Sequence, residues 1–171
     1  MQGVEGTSVA GCPDQPFWCT RNLGKEGKLS IRLFKQTIAI VASSTDTNGV
    51  VGAVEVTGQG GAVPPLHVHH REDEAFYVLE GEYSVFVGDD VITASPGSWV
   101  WGPRDVPHGY QVHSARGRHL SVMMPGGFEA FFEEVAAIAT PDADPRHEMS
   151  RLAAVAARYG VELLGPPPAP T

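Results

Sequence analysis

The chain is poor in basic residues and has no long hydrophobic run. Of its 171 residues, 12 are Lys or Arg and 20 are Asp or Glu, which gives a formal net charge of −8 at pH 7. No Lys/Arg-rich stretch interrupts this acidic excess, and this argues against nucleic acid or an anionic membrane surface as a partner. No apolar run approaches the roughly 20 residues that cross a bilayer. We therefore expect a protein that contacts neither nucleic acid nor membrane.

Cysteine is scarce as well, since Cys12 and Cys19 are the only two in the chain. Such a low count excludes a disulfide-rich secreted scaffold. No basic residue precedes Arg21 and no apolar core precedes Cys12, whereas an export signal needs both. We therefore expect a cytoplasmic protein whose cysteines are free thiols, although the spacing in CPDQPFWC would also allow a disulfide.

Short strand-like runs are what the chain has in quantity. Between residues 29 and 124, runs rich in Val, Ile and aromatic residues recur every 8 to 12 residues or so, separated by Gly, Pro and Asp. This spacing predicts an antiparallel β-sandwich or barrel, with a hairpin turn in VGDDV at residues 87–91. Residues 1–28, rich in Gly, Pro and polar residues, are predicted to form an N-terminal arm.

The hydrophobic period changes after the Pro-Gly-Gly break at residues 125–127. From there, apolar residues recur at the spacing of a helix in two groups: Phe128, Phe131, Phe132, Val135 and Ile138, then Met149, Leu152, Val155 and Tyr159. Gly160 is placed to cap the second helix. A C-terminal helical segment is therefore predicted over residues 125–163, followed by a proline-rich tail at residues 164–171.

Three of the seven histidines lie in one stretch, GAVPPLHVHHREDEAFYVLEG, at residues 61–81. Residues i and i+2 of a strand face the same side about 7 Å apart, so His67 and His69 should point the same way. The polar segment after them can reverse the chain, and Glu74 would then open the returning strand on the face of Phe76 and Val78. A carboxylate on an interior face is costly unless it is paired or bound to a cation.

A solvated polar turn is the simple alternative, but a further histidine favours a metal site. His108 follows Pro107 in GSWVWGPRDVPHGYQV and shares a strand face with Tyr110 and Val112. Three imidazoles and one carboxylate suit a first-row transition metal and leave coordination positions open. The predicted ligands of one divalent metal are His67, His69, Glu74 and His108. This ligand set does not choose among iron, nickel, manganese, cobalt, copper and zinc.

These residues resemble two sequence motifs of the cupin superfamily. The first motif, G-x5-H-x-H-x4-E-x6-G, is matched at Gly61, His67, His69, Glu74 and Gly81. The second motif, G-x5-P-x-G-x2-H-x3-N, is matched at Gly97, Pro103 and His108, while Asp105 replaces a glycine and Val112 an asparagine. The resemblance implies a mostly β fold, a single double-stranded β-helix (jelly-roll) barrel with C-terminal helices. The segment WGPRDVPHGY further resembles the single-domain, quercetinase-type cupins of bacteria.

The resemblance to quercetinase-type cupins also implies a function. It predicts a metal-dependent dioxygenase that uses dioxygen on a flavonol-like or other enolic or phenolic small molecule. Glu74 is then expected to be catalytic, as the acceptor of the substrate's hydroxyl proton. Two alternatives stay open: a metal-dependent polyketide cyclase or isomerase, and a non-catalytic cupin that binds a small molecule. Since cupins commonly dimerise, a homodimer is implied too.

Aromatic residues near the predicted ligands are candidates for the walls of a substrate pocket. Phe76, Tyr110 and one of Trp99 and Trp101 are predicted to line it, although strand parity alone cannot separate pocket from core. The phenylalanines of the first helix could cover one end of the barrel as a lid, or simply pack on the sheet. His119, on a later strand, is not counted among the pocket residues.

Overall fold

Local sequence patterns decide where strands and helices form in this chain. The computed structural model describes residues 30–33, 35–138 and 145–166. The N-terminal arm with both cysteines lies outside the described residues, as do the last residues of the tail. The strands are β1 (Ser30–Leu33), β2 (Gln36–Ala42), β3 (Gly52–Gln59), β4 (Leu66–His69), β5 (Asp73–Glu80), β6 (Tyr83–Val87), β7 (Asp90–Ala94), β8 (Trp99–Gly102), β9 (His108–Val112), β10 (Arg116–Met124) and β11 (Val161–Gly165), with helices α1 (Glu129–Ile138) and α2 (Pro145–Arg158) between β10 and β11.

The strands form two antiparallel sheets that face each other. One sheet has six strands in the order β1-β2-β3-β10-β5-β8, and the other has five in the order β11-β4-β9-β6-β7. The predicted hairpin is confirmed between β6 and β7, where Val87 pairs with Asp90 and Gly88 takes a φ of 58°. This positive φ explains why glycine stands at the first loop position. The predicted jelly-roll architecture with C-terminal helices is confirmed.

Alternating burial identifies the inner face of each strand. On β5 the inward residues Glu74, Phe76 and Val78 are all buried, as the sequence predicts. On β10 every second residue is buried, and Met123 pairs with Glu74 across the β5–β10 ladder. The period-2 pattern therefore carries a polar group, Glu74, into the barrel among apolar neighbours.

Two separate hydrophobic clusters lie within the described part of the chain. The closed core lies where the two sheets face each other and consists of Ala62, Phe76, Val78, Tyr83, Val85, Ala94, Val100, Tyr110 and Val112. The helix-covered core lies where α1, α2 and β11 pack over the larger sheet. It consists of Ile31, Ile38, Ile40, Val54, Val56, Met123, Phe128, Phe131, Val135, Leu152, Val155, Ala156 and Val161. The helices thus complete one end of the barrel.

The end of the chain differs from the prediction. The two helices form, but residues 161–163, predicted as helical, and residues 164–165, predicted as tail, together make β11. Gly160 ends the helical stretch with a φ of 75°, and the following residues pair with the free edge of β4. Val161 is buried while Leu164 is exposed, so the strand has an inner and an outer face. Neither described helix is long and apolar enough to cross a membrane.

Candidate metal centre

Strand pairing brings the four predicted ligands to one point. His67 and His69 lie on β4, and His108 on β9 is the direct antiparallel partner of His67. Glu74 comes from β5 in the opposite sheet. His69 and His108 are fully buried, and Glu74 is 6% exposed. Side chains of both sheets therefore meet inside the barrel, at the boundary between the closed core and the helix-covered core.

The distances within this cluster suit one small cation. The Oε2 atom of Glu74 lies 3.2 Å from His108 Nε2, and 3.5 Å from the Nε2 atoms of both His67 and His69. One ligand atom from each of the four residues lies within 4.8 Å of all the others. Metal–ligand bonds of about 2.0–2.2 Å place ligand atoms about 3–4 Å apart around a shared ion, which these separations approach.

The second nitrogen of each imidazole is held by an acceptor. Nδ1 lies 3.0 Å from the Pro65 carbonyl oxygen in His67 and 2.8 Å from the Val106 carbonyl oxygen in His108. Because a carbonyl only accepts, each Nδ1 must carry a proton, and in the neutral imidazole each Nε2 then points a lone pair at the centre. Without a cation, Nε2 can instead be protonated and donate to Glu74; with a cation bound between them, the lone pairs and the carboxylate would all act as ligands. The residues present therefore fit a divalent metal.

Both ring nitrogens of His69 also have surroundings that suit a metal ligand. Its Nδ1 lies 3.2 Å from Oε2 of Glu72, a buried carboxylate in the turn between β4 and β5. Its Nε2 is fully buried and has no hydrogen-bond partner among the described residues. Buried polar atoms are rarely left unpaired, so this nitrogen is available to a ligand that the cluster would hold.

Electrostatics within the cluster favour an ionised carboxylate. Burial alone would raise the pKa of Glu74, but its hydrogen bonds with His108 and His67 outweigh burial and hold that pKa well below its ordinary value. For His67, burial lowers the pKa, but the hydrogen bond and charge of Glu74 outweigh it, so the pKa is raised. For His69, burial dominates over the hydrogen bond to Glu72, and its pKa is lowered.

Two neighbours fix the imidazole rings in place. A Cβ atom at Gly102 would lie 3.1 Å from Cγ of His108, so a larger residue there would push against the ring. The ring of Phe128 meets His69 edge-on, with 4.5 Å between the ring centroids. Both contacts limit ring rotation, which helps to preorganise the Nε2 atoms toward Glu74.

A cavity of about 90 Å³ adjoins the cluster. His67 and Glu74 form part of its wall, together with Gln36, Tyr110 and Ser121. The rest of the wall is apolar, with Ile38, Val54 and Val56 from the large sheet, Phe128, Phe131, Phe132, Leu152 and Ala156 from the helical segment, and Val161 and Leu163 from β11. The helical phenylalanines therefore cover a cavity as well as pack on the sheet.

The predicted pocket residues fall into three groups. Tyr110 lines the cavity, whereas Phe76 is buried in the closed core, with its ring centroid 6.1 Å from that of His108. The prediction for the tryptophans is wrong, because Trp99 is 55% and Trp101 43% exposed and neither lines the cavity. Pairing with β5 turns both outward and places Val100 inside, opposite Phe76.

Sequence reasoning missed two polar residues near the site. Glu72 was interpreted only as part of a polar turn, although its spacing of three residues from His69 could have suggested a contact across that turn. Gln36 lines the cavity and is 4% exposed. Its place at the start of an apolar strand gave no signal, because inward orientation at a strand end depends on pairing with β3.

Comparison with known proteins agrees with this geometry. Residues 54–123 match the family described as the cupin domain, and this segment contains all four residues of the cluster. The chain contains a cupin domain. This cupin is also 32% identical over 93 residues to quercetin 2,3-dioxygenase of Bacillus subtilis strain 168, a match that covers 54% of this chain. The matched segment spans 28% of the length of the Bacillus protein.

Solved structures resemble this cupin in fold. KdgF from a Halomonas species superposes with a TM-score of 0.52 at 25% identity, covering 56% of this chain and 84% of that one. An RmlC-like cupin from Shewanella frigidimarina superposes with a TM-score of 0.55 at 20% identity, covering 62% and 91% of the two chains. The second likeness shows the fold alone.

Proposed function

We propose that this cupin is a metal-dependent dioxygenase acting on a small enolic or phenolic molecule. The main support is the convergence of three imidazole nitrogens and one carboxylate oxygen at the wall of an apolar cavity. The similarity to the quercetin 2,3-dioxygenase of Bacillus subtilis supports oxygen chemistry in particular. Since fold alone does not determine reaction, the dioxygenase activity rests on this site and this relative together.

The residues of the site have distinct roles in this proposal. A divalent metal held by His67, His69, Glu74 and His108 would lower the pKa of a bound substrate hydroxyl. The carboxylate of Glu74 is ionised and lines the cavity, so it can accept the hydroxyl proton. The apolar wall around it excludes water that would compete for that proton.

The cavity size favours a substrate smaller than a flavonol. Pockets for drug-sized ligands commonly enclose about 300–1,000 Å³, whereas this cavity encloses about 90 Å³. A single-ring phenol or a short enol needs less rearrangement than a three-ring flavonol, which would require outward movement of the phenylalanines on α1. We therefore place catechols and short diketones ahead of flavonols as substrates.

Oxygen consumption tests the proposal. Protein purified without a histidine tag and loaded in turn with iron, nickel, manganese, cobalt, copper or zinc is mixed with a catechol, a 1,3-diketone and a flavonol. We expect oxygen uptake with at least one combination of metal and substrate. Glu74→Gln should abolish this uptake. The matched variant Glu82→Gln, which changes an exposed carboxylate, should keep it. Metal content is measured for each variant, so that loss of metal is not mistaken for loss of proton transfer.

Two outcomes would contradict the dioxygenase. No uptake with any metal and substrate would remove it. Turnover without oxygen and with unchanged substrate mass would indicate a cyclase or isomerase instead. Tight binding without turnover, unaffected by Glu74→Gln, would favour a non-catalytic binding protein.

The oligomeric state and the location are proposed separately. The resemblance of the motifs to cupins supports a homodimer, and the low cysteine count supports a cytoplasmic location. Sedimentation equilibrium of the metal-loaded protein tests the first, and a monomer at micromolar concentration would contradict it.

A further inference from the structure

The wall of the cavity beside the metal centre contains a buried polar residue, Gln36, that is not one of the four predicted ligands. Gln36 on β2 pairs with Gly58 on β3, which pairs with Gly117 on β10. Glu74 pairs with Met123 on the same strand β10. From Met123 to Gly117 the inward-facing residues advance three levels along β10. Gln36 and Glu74 therefore lie at different levels of the large sheet, although both line the same cavity.

The amide nitrogen of Gln36 is buried and lacks a close hydrogen-bond partner. The residue is 4% exposed, and its Nε2 has no hydrogen-bond partner among the described residues. A buried donor without a partner normally destabilises a protein, and natural structures contain few of them. The Gln36 side chain also lies near the Tyr110 hydroxyl, since a hydrogen bond between them counters part of the rise in the Tyr110 pKa that burial causes. Because no partner lies within ordinary hydrogen-bond distance of Nε2, this donor in the cavity wall remains available to a ligand.

Apart from Tyr110 and Ser121, the wall between Gln36 and Glu74 is apolar. Ile38, Val54 and Val56 line it from the large sheet, and Leu152 and Ala156 from α2. A ligand that matches this wall has an oxygen at each end and an apolar ring or chain between them. Each polar group of such a ligand would meet a polar group of the protein, and its apolar part would meet apolar side chains.

We propose that Gln36 binds the end of the ligand remote from the metal centre, with Nε2 donating to an acceptor oxygen such as a ketone or carboxylate. The inference rests on the proposed function in one respect, namely that the other end of the ligand lies at His67 and Glu74. Gln36 is then a specificity residue: it selects small molecules that carry a second oxygen, and it takes no part in proton transfer.

A matched pair of ligands tests this role without relying on turnover. Catechol and 4-acetylcatechol share the two hydroxyls, but only the second carries a remote ketone. Their affinities for the zinc-loaded protein are measured by calorimetry under nitrogen, where no oxygen chemistry occurs. We expect the wild-type protein to bind 4-acetylcatechol about tenfold more tightly than catechol, the effect of one well-placed hydrogen bond.

Substitution of the glutamine should remove this preference alone. In Gln36→Met, which keeps the length of the side chain, we expect both ligands to bind as catechol does to the wild type. The matched variant Gln59→Met changes an exposed glutamine outside the cavity wall and should keep the tenfold preference. The melting temperature of Gln36→Met should stay equal or rise, because an unpaired buried donor is removed, whereas loss of a structural bond would lower it.

The outcomes separate this inference from the dioxygenase proposal. Equal affinity of the two ligands for the wild type, including no binding of either, would overturn the role of Gln36. So would a preference that survives in Gln36→Met. Suppose that no oxygen is consumed but the wild type prefers 4-acetylcatechol and Gln36→Met does not. The dioxygenase proposal would then be wrong, whereas the role of Gln36 in ligand binding would stand.

Discussion

The closed core and the helix-covered core are built on the same large sheet but filled in different ways. In the closed core, strands of the second sheet supply the facing side chains, and Val78, Tyr83 and Val85 are each no more than 2% exposed. In the helix-covered core the facing side chains come from α1, α2 and β11, and a cavity is left beside them. The difference shows that the helical segment closes the barrel without filling it.

The metal centre lies where these two cores meet. Glu74 is paired with Met123 of the helix-covered core, while the next inward residue on its strand, Phe76, belongs to the closed core. One side of the cluster is thus tightly packed and keeps the imidazoles in position. The other side borders space that a small molecule can enter. A reactive metal site needs both properties, rigidity on one side and access on the other.

The largest effect on stability should be seen when one phenylalanine of each core is replaced by alanine. We expect Phe76→Ala to lower the free energy of unfolding by about 3–5 kcal/mol, since Phe76 is only 2% exposed and is surrounded by other buried side chains of the closed core. Phe131→Ala should cost about half as much, because its ring already borders a cavity. Urea unfolding of both variants in the presence of a chelator measures the difference. A larger loss for Phe131→Ala would contradict the contrast between the cores.

The next effect concerns the buried imidazole of His119. Burial lowers its pKa from 6.5 to about 4, and its ring meets Tyr110 edge-on with 4.5 Å between centroids. Between these two pH values the unfolded chain binds more protons than the folded one, so stability rises with pH and is lost as pH falls from 6.5 toward 4. The full shift corresponds to about 3 kcal/mol.

Substitution isolates this contribution from that of the other histidines. The stability of His119→Leu should depend less on pH between 6.5 and 4 than that of the wild type. His113→Leu, at an exposed position, serves as the matched control and should keep the wild-type slope. Urea unfolding at half-unit pH intervals gives the slopes, and identical slopes for the wild type and His119→Leu would refute the assignment.

A smaller effect is expected on metal affinity when Glu72, the hydrogen-bond partner of His69, is replaced. The Glu72 carboxylate accepts a hydrogen bond from Nδ1 of His69. Glu72 therefore orients a predicted metal ligand but is not itself predicted to bind the metal. Loss of such an outer partner typically weakens metal binding by about 10–100-fold, and we expect Glu72→Ala to fall in that range for zinc. Glu72→Gln should lose less, because its amide oxygen still accepts. Competition with a chromophoric chelator measures both, and unchanged affinity in Glu72→Ala would show that His69 needs no such partner.

The smallest effect is expected outside both cores. Trp99→Ala and Trp101→Ala should each change the free energy of unfolding by no more than about 1 kcal/mol, because both side chains lie largely in solvent. Ligand affinity should not change, since neither ring lines the cavity. Calorimetry with catechol checks this, and a marked loss of affinity would restore the tryptophans to the pocket.

The ligands could be predicted from the sequence because their spacing carries the geometry. The i, i+2 spacing of His67 and His69 and the parity of Glu74 with Phe76 and Val78 depend only on the period of a strand. The prediction for the tryptophans was wrong because strand alternation alone does not say which face of β8 points inward. Val100 and Gly102 face the interior, and Trp99 and Trp101 face outward, because of the way β8 pairs with β5.

The last strand could not be predicted because its signal is short. The segment VELLG at residues 161–165 has only five residues and directly follows a helix. Its strand conformation depends on the exposed edge of β4, which is distant in sequence and invisible to any local pattern. The same holds for Gln36, whose inward position requires the β2–β3 register.

The pairing of β11 with β4 has a consequence for how the protein matures. Val161 lies opposite His69, and Leu163 lies opposite His67. Every other described element precedes β11 in the chain, so during synthesis two of the ligands emerge long before their neighbouring strand. Until β11 is added, His67 and His69 belong to an edge strand open to solvent. Metal acquired early by a growing chain would therefore be held at an unfinished wall, and secure loading must await the arrival of residues 161–165.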